Sequence, residues 1–391
     1  MWWTGWRSSR GGSILIGSSR LQPRGVTRSA AGQCRSEGGG RSRASPQSAG
    51  RRAAALLPLA AALAAALLLA LAFGSVAVPI GTTAEIVASR VLGIPTSGVW
   101  TSAQETIVLQ VRLPRVVLAA VTGASLAMAG AVYQGLFRNP MGDPYLLGVA
   151  PGAGLGATIV IVFALVAAVG SAWLLPAAAL VGGLAATAVI YLIARVDRRT
   201  PVGVLLLAGV ALGSLLSATT SLLMLARPER LHYAVMWLFG SFSSAGWTQV
   251  ALVVPFVVVG AAIVLSLARQ LNLMLLDEEQ AAFLGANTER LKLLLVVGAT
   301  LLAAAPVSVA GLIGFVGLIG PHAARLLWSS DSRSLLPASA LLGASFLVMA
   351  DLFARAAFAP SELPVGIVSA LCGGPFFLLL LRRRKRSIFG V

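Results

Sequence analysis

The amino-acid sequence predicts an all-α, polytopic membrane protein with about ten transmembrane helices. Three observations predict it. Hydrophobic residues fill 57% of the 391 positions and charged residues only 11%, and the mean hydropathy is +0.87, a composition outside that of soluble globular domains. Uncharged apolar runs of roughly 20 residues, the length of one crossing, recur from Ala53 to Leu381. The cations behind the formal charge of +17 sit at the chain ends and between those runs, with no aromatic-interleaved basic face, so membrane topology accounts for them without a nucleic-acid partner.

Taken in order, residues 1–52 form a Ser-, Gly- and Arg-rich tail with Glu37 as its one acid, a composition that predicts disorder. A start assigned too far upstream would give the same tail. A cleavable signal is disfavoured: the SILIG run has no proper apolar core, and the block after Arg52 is long enough to span. Residues 53–386 read as one transmembrane domain and 387–391 as a short C-terminal tail. Spans are expected near 53–78, 116–136, 146–169, 172–194, 202–226, 249–268, 292–310, 311–327, 335–354 and 363–381. The uncharged run Leu293–Pro321 is too long for one upright crossing and too short for two. Its glycines at 311, 314, 317 and 320 predict a second helix that is short or broken. The apolar piece Val235–Phe242 is too short to cross and reads as a half-helix at the outer surface.

Charge sets the parity. With the Arg-rich amino end inside, ten crossings return RRRKR (382–386) to the cytoplasm, so both termini are expected there, in the inner (plasma) membrane of a bacterium. Arg138, Arg195, Arg198, Arg199, Arg269, Arg290, Lys292, Arg325 and Arg333 then fall inside, against Arg90, Arg112, Arg115, Arg227, Arg230 and Arg355 outside.

No segment matches G-x-x-x-x-G-K-[ST], and Lys292 and Lys385, the two lysines, lie in no glycine-rich loop, so the chain is not expected to hydrolyse ATP itself. Cys34 and Cys372, one in the tail and one in the last span, are not expected to meet, and His232 and His322 have no second ligand at metal spacing. The reading is therefore no catalytic residue, no metal and no cofactor. An ion-coupled secondary transporter would need ionisable groups near mid-membrane. Asp351 is the one acid placed within a span, close to the outer end beside Arg355, which counts against that reading. A receptor or scaffold without transport is a further rival, opposed by the absence of a soluble sensor domain.

Several long motifs stand in one order: RLPR (112–115), Gln134, RNPMGDPYLLGV (138–149), GAGLGA (152–157), LGAN (284–287), GFVGLIGPHAARLL (314–327), LLPASALLGASFLVMADLFAR (335–355) and ELPVGIVSALCGGPFFLLLL (362–381). From about Leu56 to Arg386 the chain resembles the FecCD/BtuC-type permease family, the membrane subunits of ABC importers for iron-siderophores, haem and cobalamin. The resemblance implies that spans 2–5 and 7–10 form inverted halves. It also implies a permease pairing with a second copy or a paralogue, two cytoplasmic ATPase subunits and an extracytoplasmic substrate-binding protein. The cargo it implies is an iron complex, a ferric siderophore first, with haem or cobalamin as alternatives.

Two places carry that function in the sequence. In the loop 269–292, Asp277 with Glu278, Glu279 and Gln280 resembles an N-cap with an acidic first turn, Gly285 can stop a helix, and Asn287 or Thr288 can cap the next. Residues alone leave an ordinary solvated loop equally compatible. The resemblance implies that Phe283, Leu284, Gly285 and Ala286 dock in a cleft of the ATPase. At the outer mouths of spans 2 and 9, Arg112, Arg115 and Arg355 read as interfacial anchors on residue type alone, whereas the resemblance implies pairing with acids of the binding protein. Asp351, four residues before Arg355, is placed to orient it or to form a plain helix-face pair. Met128, Gln134, Ser214, Ser217 and Thr220 are candidates for lining the pathway, although small residues also make packing seams. Asn139-Pro140 and Pro321-His322 are expected to end helices on the cytoplasmic side near an inner gate.

Overall fold

The computed structural model describes residues 46–388 apart from 75–77, 96–97, 198, 276–286, 328–329 and 359–360. No β-strand occurs among the described residues. The helices are α1 (Pro46–Ala72), α2 (Ile80–Arg90), α3 (Ser102–Thr106), α4 (Leu113–Leu136), α5 (Val149–Val162), α6 (Leu165–Val169), α7 (Leu174–Ala194), α8 (Val202–Ala226), α9 (Leu231–Leu238), α10 (Trp247–Ser266), α11 (Ala268–Met274), α12 (Thr288–Ala310), α13 (Val316–Leu327), α14 (Ser332–Ala356) and α15 (Val365–Ile388). Six of the described helical stretches are long and apolar enough to cross a membrane alone. Shorter apolar helices, α1, α5, α13 and α15, occupy the remaining expected spans.

Several boundaries move, each for a local reason. The first span ends at Ala72 rather than 78, and α2 follows as a separate helix. The third span breaks at Ala164, whose φ of +51° is left-handed, so α5 and the short α6 replace one continuous helix. A π-helical segment, Ile107–Arg112, joins α3 to α4 without a break, giving one helical run from Ser102 to Leu136. At 1.5 Å per residue that run is about 52 Å long and overshoots a hydrocarbon core of roughly 30 Å. Val235–Phe242 contains the end of a short helix, α9, as its length predicts.

Helix α4 is the axis of the fold. It packs against α14, α12, α13 and α10, and almost every residue from Val116 to Leu136 is buried or nearly so. Backbone approach makes this possible. A Cβ on Gly130 would collide with Gly317 of α13, 2.6 Å from its Cα, and one on Gly123 would stand 2.9 Å from Ala344 Cα of α14. These glycines let helices meet at distances that side chains forbid, in lipid where packing rather than hydrophobicity drives association. A second seam joins α5 to α7 and α8.

The expected broken helix is observed at residues 311–315, between α12 and α13. Gly311 (φ +72°) and Phe315 (φ +67°) turn the chain there. Pro321 and His322, by contrast, do not end a helix: both lie within α13. The physical reason is a substitute donor. Proline has no N–H to give the carbonyl four residues back, and Gln134 Nε2 donates to that carbonyl, Gly317 O, at 3.0 Å.

Candidate functional site

At the N-terminal end of α4, expected from charge to face outward, the three predicted arginines are brought together, and their guanidinium groups turn inward. Arg115 donates from Nε to both oxygens of Asp351 (3.1 and 3.2 Å) and from Nη2 to Oδ1 at 2.9 Å, while Nη1 reaches Glu362 at 2.9 Å. Arg355 Nε lies 3.1 Å from Asp351 Oδ2, so one carboxylate sits between two guanidinium groups. Asp351 is 1% exposed and Arg112, Arg115 and Arg355 are 4, 9 and 6% exposed.

The other donors close the end of α1. Arg112 Nη1 donates to Leu71 O (2.7 Å) and Ala72 O (2.8 Å), and Arg355 Nη2 donates to Ala70 O at 3.1 Å. The last carbonyls of a helix have no intrahelical partner, and cations are favoured at that end of the dipole. The three bonds satisfy the last carbonyls of the first span where it stops at Ala72. As placed, the three cations are used by the chain's own carboxylates and carbonyls, and an acidic partner would have to compete with them.

Beside this cluster lies a cavity of about 660 Å³, lined by Met236, Trp237, Ser241, Ser243 and Ser244 on one side and Glu362 and Pro364 on the other. Glu362 joins the two features, since it lines the cavity and holds Arg115. Trp237 Nε1 is buried with no hydrogen-bond partner among the described residues. Sequence reasoning missed this site. The available signal was the apolar half-helix followed by Ser241-Phe242-Ser243-Ser244, together with the single acid of the ELPVG motif.

Toward the other end of α4, the chain between α4 and α5 meets the break at 311–315. The span ends at Leu136, just before the predicted Asn139-Pro140 turn, in which Asn139 Oδ1 accepts from Met141 N at 2.9 Å after Arg138 turns left-handed. Asp143 Oδ1 accepts from Tyr145 N at 2.8 Å, starting a 3₁₀ turn, Pro144–Leu147. Tyr145 Oη donates to Ile313 O at 2.9 Å and accepts from Ile313 N at 3.1 Å. One hydroxyl thus satisfies both backbone groups of Ile313 within the break, as non-helical chain in a membrane requires. Gln134 also accepts from Arg325 Nη1 through its Oε1, so both ends of its amide are engaged. His322 meets Phe376 edge-on, with ring centroids 5.8 Å apart.

The five pathway candidates do not converge. Met128 and Gln134 are buried within the chain, at 6 and 3% exposure, as is Thr220 at 7%. Ser214 and Ser217 are exposed on α8, and Ser214 and Thr220 bond back to Val210 O and Leu216 O. Only 11% of the central stretch of α8 is buried, so this apolar helix offers most of its surface to something outside the chain. In the 269–292 loop, α11 and the cap of α12 are described, with Asn287 Oδ1 accepting from Arg290 N at 3.1 Å. Phe283, Leu284, Gly285 and Ala286 lie outside the described residues.

Broken helices and glycine seams within a bundle of apolar spans are features that membrane transporters use. The chain belongs to the FecCD transport family, whose model matches residues 62–383. It is 48% identical over 281 residues to the cobalamin import system permease of Halobacterium salinarum, covering 72% of this chain and 74% of that one. It is 40% identical to the Fe(3+)-citrate import system permease of Bacillus subtilis (72% and 84% covered) and 40% identical to the hemin transport system permease of Yersinia pestis (72% and 85% covered). A solved structure described as an inward-facing conformation of a metal-chelate type ABC transporter superposes with a TM-score of 0.73 at 32% identity, covering 84% of this chain and 98% of that one. The chain is thus a multi-pass permease of the kind that serves ABC importers of metal chelates, haem, cobalamin or iron citrate.

Proposed function

We propose that the chain passes an iron complex, a ferric siderophore in the first instance, through a pathway it forms with a second permease chain, driven by two cytoplasmic ATPase subunits. The observation that carries this reading is the similarity to permeases whose cargoes are bulky metal complexes. The cavity beside the arginine cluster supports it: about 660 Å³ walled by serines, Trp237 and Met236 offers a large ligand many weak contacts. The exposed apolar face of α8, carrying Ser214 and Ser217, supports pairing with the second permease around the pathway.

A binding protein docks over the end that holds Arg112, Arg115 and Arg355, exchanging its acids for the internal ones at Asp351 and Glu362. The ATPases engage Phe283 to Ala286 on the opposite face, with both chain termini. Cobalamin is the second reading, favoured by the greater identity to the Halobacterium salinarum permease. Uptake by a strain lacking this chain, offered each labelled ferric siderophore, haem and cobalamin separately and then complemented, separates them. Restored uptake of cobalamin alone would overturn the iron assignment, and restored uptake of none would overturn the transport reading.

A further inference from the structure

Between α7 and α12 runs an apolar groove of about 460 Å³ that the packing of this chain leaves open. Its walls are Leu184, Tyr191 and Leu192 on α7 and Leu293, Val297 and Leu301 on α12. The polar groups on its floor are already engaged. Thr187 Oγ1 donates to Leu147 O at 3.0 Å, and Thr300 Oγ1 shares a 2.9 Å hydrogen bond with Tyr133 Oη. Apart from the Tyr191 hydroxyl, such a groove offers dispersion contacts, the environment that suits a hydrocarbon chain.

One end of the groove is basic. Lys292 Nζ donates to Thr200 O at 3.1 Å and to Glu289 Oε1 at 3.0 Å, which holds the turn after α7 against the first turn of α12. Arg195 follows Leu192 by three residues and Arg290 precedes Leu293 by three, so both cations stand near the groove's side of their helices. Together with Arg199 they are exposed, and none has an ion pair with a described residue. Among the described residues the acids at this end are Asp197, exposed in the same turn, and Glu289, which is held by Lys292.

The length fits one leaflet. Leu184 to Leu192 and Leu293 to Leu301 are each eight steps of helix, about 12 Å at 1.5 Å per residue. Half of a hydrocarbon core of roughly 30 Å is about 15 Å. A lipid with its phosphate at the basic rim would therefore lay an acyl chain along the whole groove.

We propose that this groove binds an anionic phospholipid of the surrounding bilayer, its phosphate held by Arg195, Arg199 and Arg290 and one acyl chain lying between α7 and α12. Basic pockets between membrane helices select acidic headgroups by charge. A second copy of the chain is the weaker occupant, because two such rims would set like charges against each other. The site is independent of cargo, since it shares no residue with the arginine cluster or the cavity beside it.

The test uses the full-length protein in nanodiscs of equal parts phosphatidylglycerol and phosphatidylcholine, with one of the two lipids carrying a photoreactive diazirine in its acyl chain. The expected result is labelling of peptides 184–192 and 293–301 at about fivefold higher yield from phosphatidylglycerol. The preference should fall to parity in the R195Q/R199Q/R290Q variant, and Val297→Trp, which fills the groove, should lose the label from both lipids. Equal labelling by the two lipids in the wild-type protein, or labelling confined to other peptides, overturns the proposal without relying on any variant. A preference that survives neutralisation of the three arginines overturns the headgroup assignment. Loss of a permease dimer in Val297→Trp would give the groove to a second copy instead.

Discussion

Asp351 carries more of the outer end of this protein than its single charge suggests, and replacing it with alanine is the sharpest test of that geometry. The side chain is 1% exposed and lies within 3.2 Å of Arg115 and Arg355, both themselves buried. Asp351→Ala leaves two neighbouring guanidinium groups without their shared carboxylate. Removing one partner of a buried ion pair costs about 3–5 kcal/mol, because the remaining charge stays desolvated. Glu362 also bonds Arg115, but its side chain is 38% exposed, so Glu362→Gln should cost about 1 kcal/mol or less. A neutral set, Asp351→Asn with Arg115→Gln and Arg355→Gln, should recover much of the loss, since no charge is then stranded. Unfolding by increasing SDS in mixed micelles, followed by tryptophan fluorescence, gives the three free energies on one scale. Equal costs for Asp351→Ala and Glu362→Gln, within about 0.5 kcal/mol, would refute the assignment of Asp351 as the shared counter-ion.

Gly130→Ala should lower the yield of folded protein sharply, by about 1–3 kcal/mol or more of overpacking against the Gly317 backbone, whereas Gly81→Ala, which meets nothing within 4 Å, should be neutral in the same SDS titration. Tyr145→Phe should cost about 1–3 kcal/mol, because it strands both the N–H and the C=O of Ile313, and a loss below 0.5 kcal/mol would show that those groups find other partners. Replacing Leu284 and Gly285 with aspartates should abolish transport and co-purification of the ATPases while the protein stays in the membrane, and normal uptake would remove the coupling assignment. Reversing Arg112, Arg115 and Arg355 to glutamate should lose the folded permease, because three buried carboxylates would face Asp351 and the last carbonyls of α1, whereas acid-to-arginine changes on the binding protein alone should end its stimulation of ATPase activity by the intact permease. Wild-type affinity of that changed protein for the permease at low salt would make these arginines purely internal struts.

Hydropathy marked, from the sequence alone, an all-α membrane protein and the apolar segments its helices occupy, and the glycines after Ala310 marked where the helix breaks. Residue type also marked the cap at Asn287 and the end of a span just before Asn139. Each depends on a residue's own transfer free energy or on neighbours a few positions away, so one dimension suffices to read it. Only the tertiary structure decided what the polar groups inside those spans do. Arg115 and Asp351 are 236 positions apart and Gln134 and Gly317 are 183 apart, and no local pattern says that they meet. Pro321 read as a helix stop because it lacks an N–H, and that reading changed once the fold supplied a distant amide for the orphaned carbonyl. Asp351 pairs with Arg355 four residues on, as their spacing offered, and the fold added Arg115 to the same carboxylate. In a membrane interior, where water cannot serve as the partner, that pairing fixes the direction a polar side chain takes.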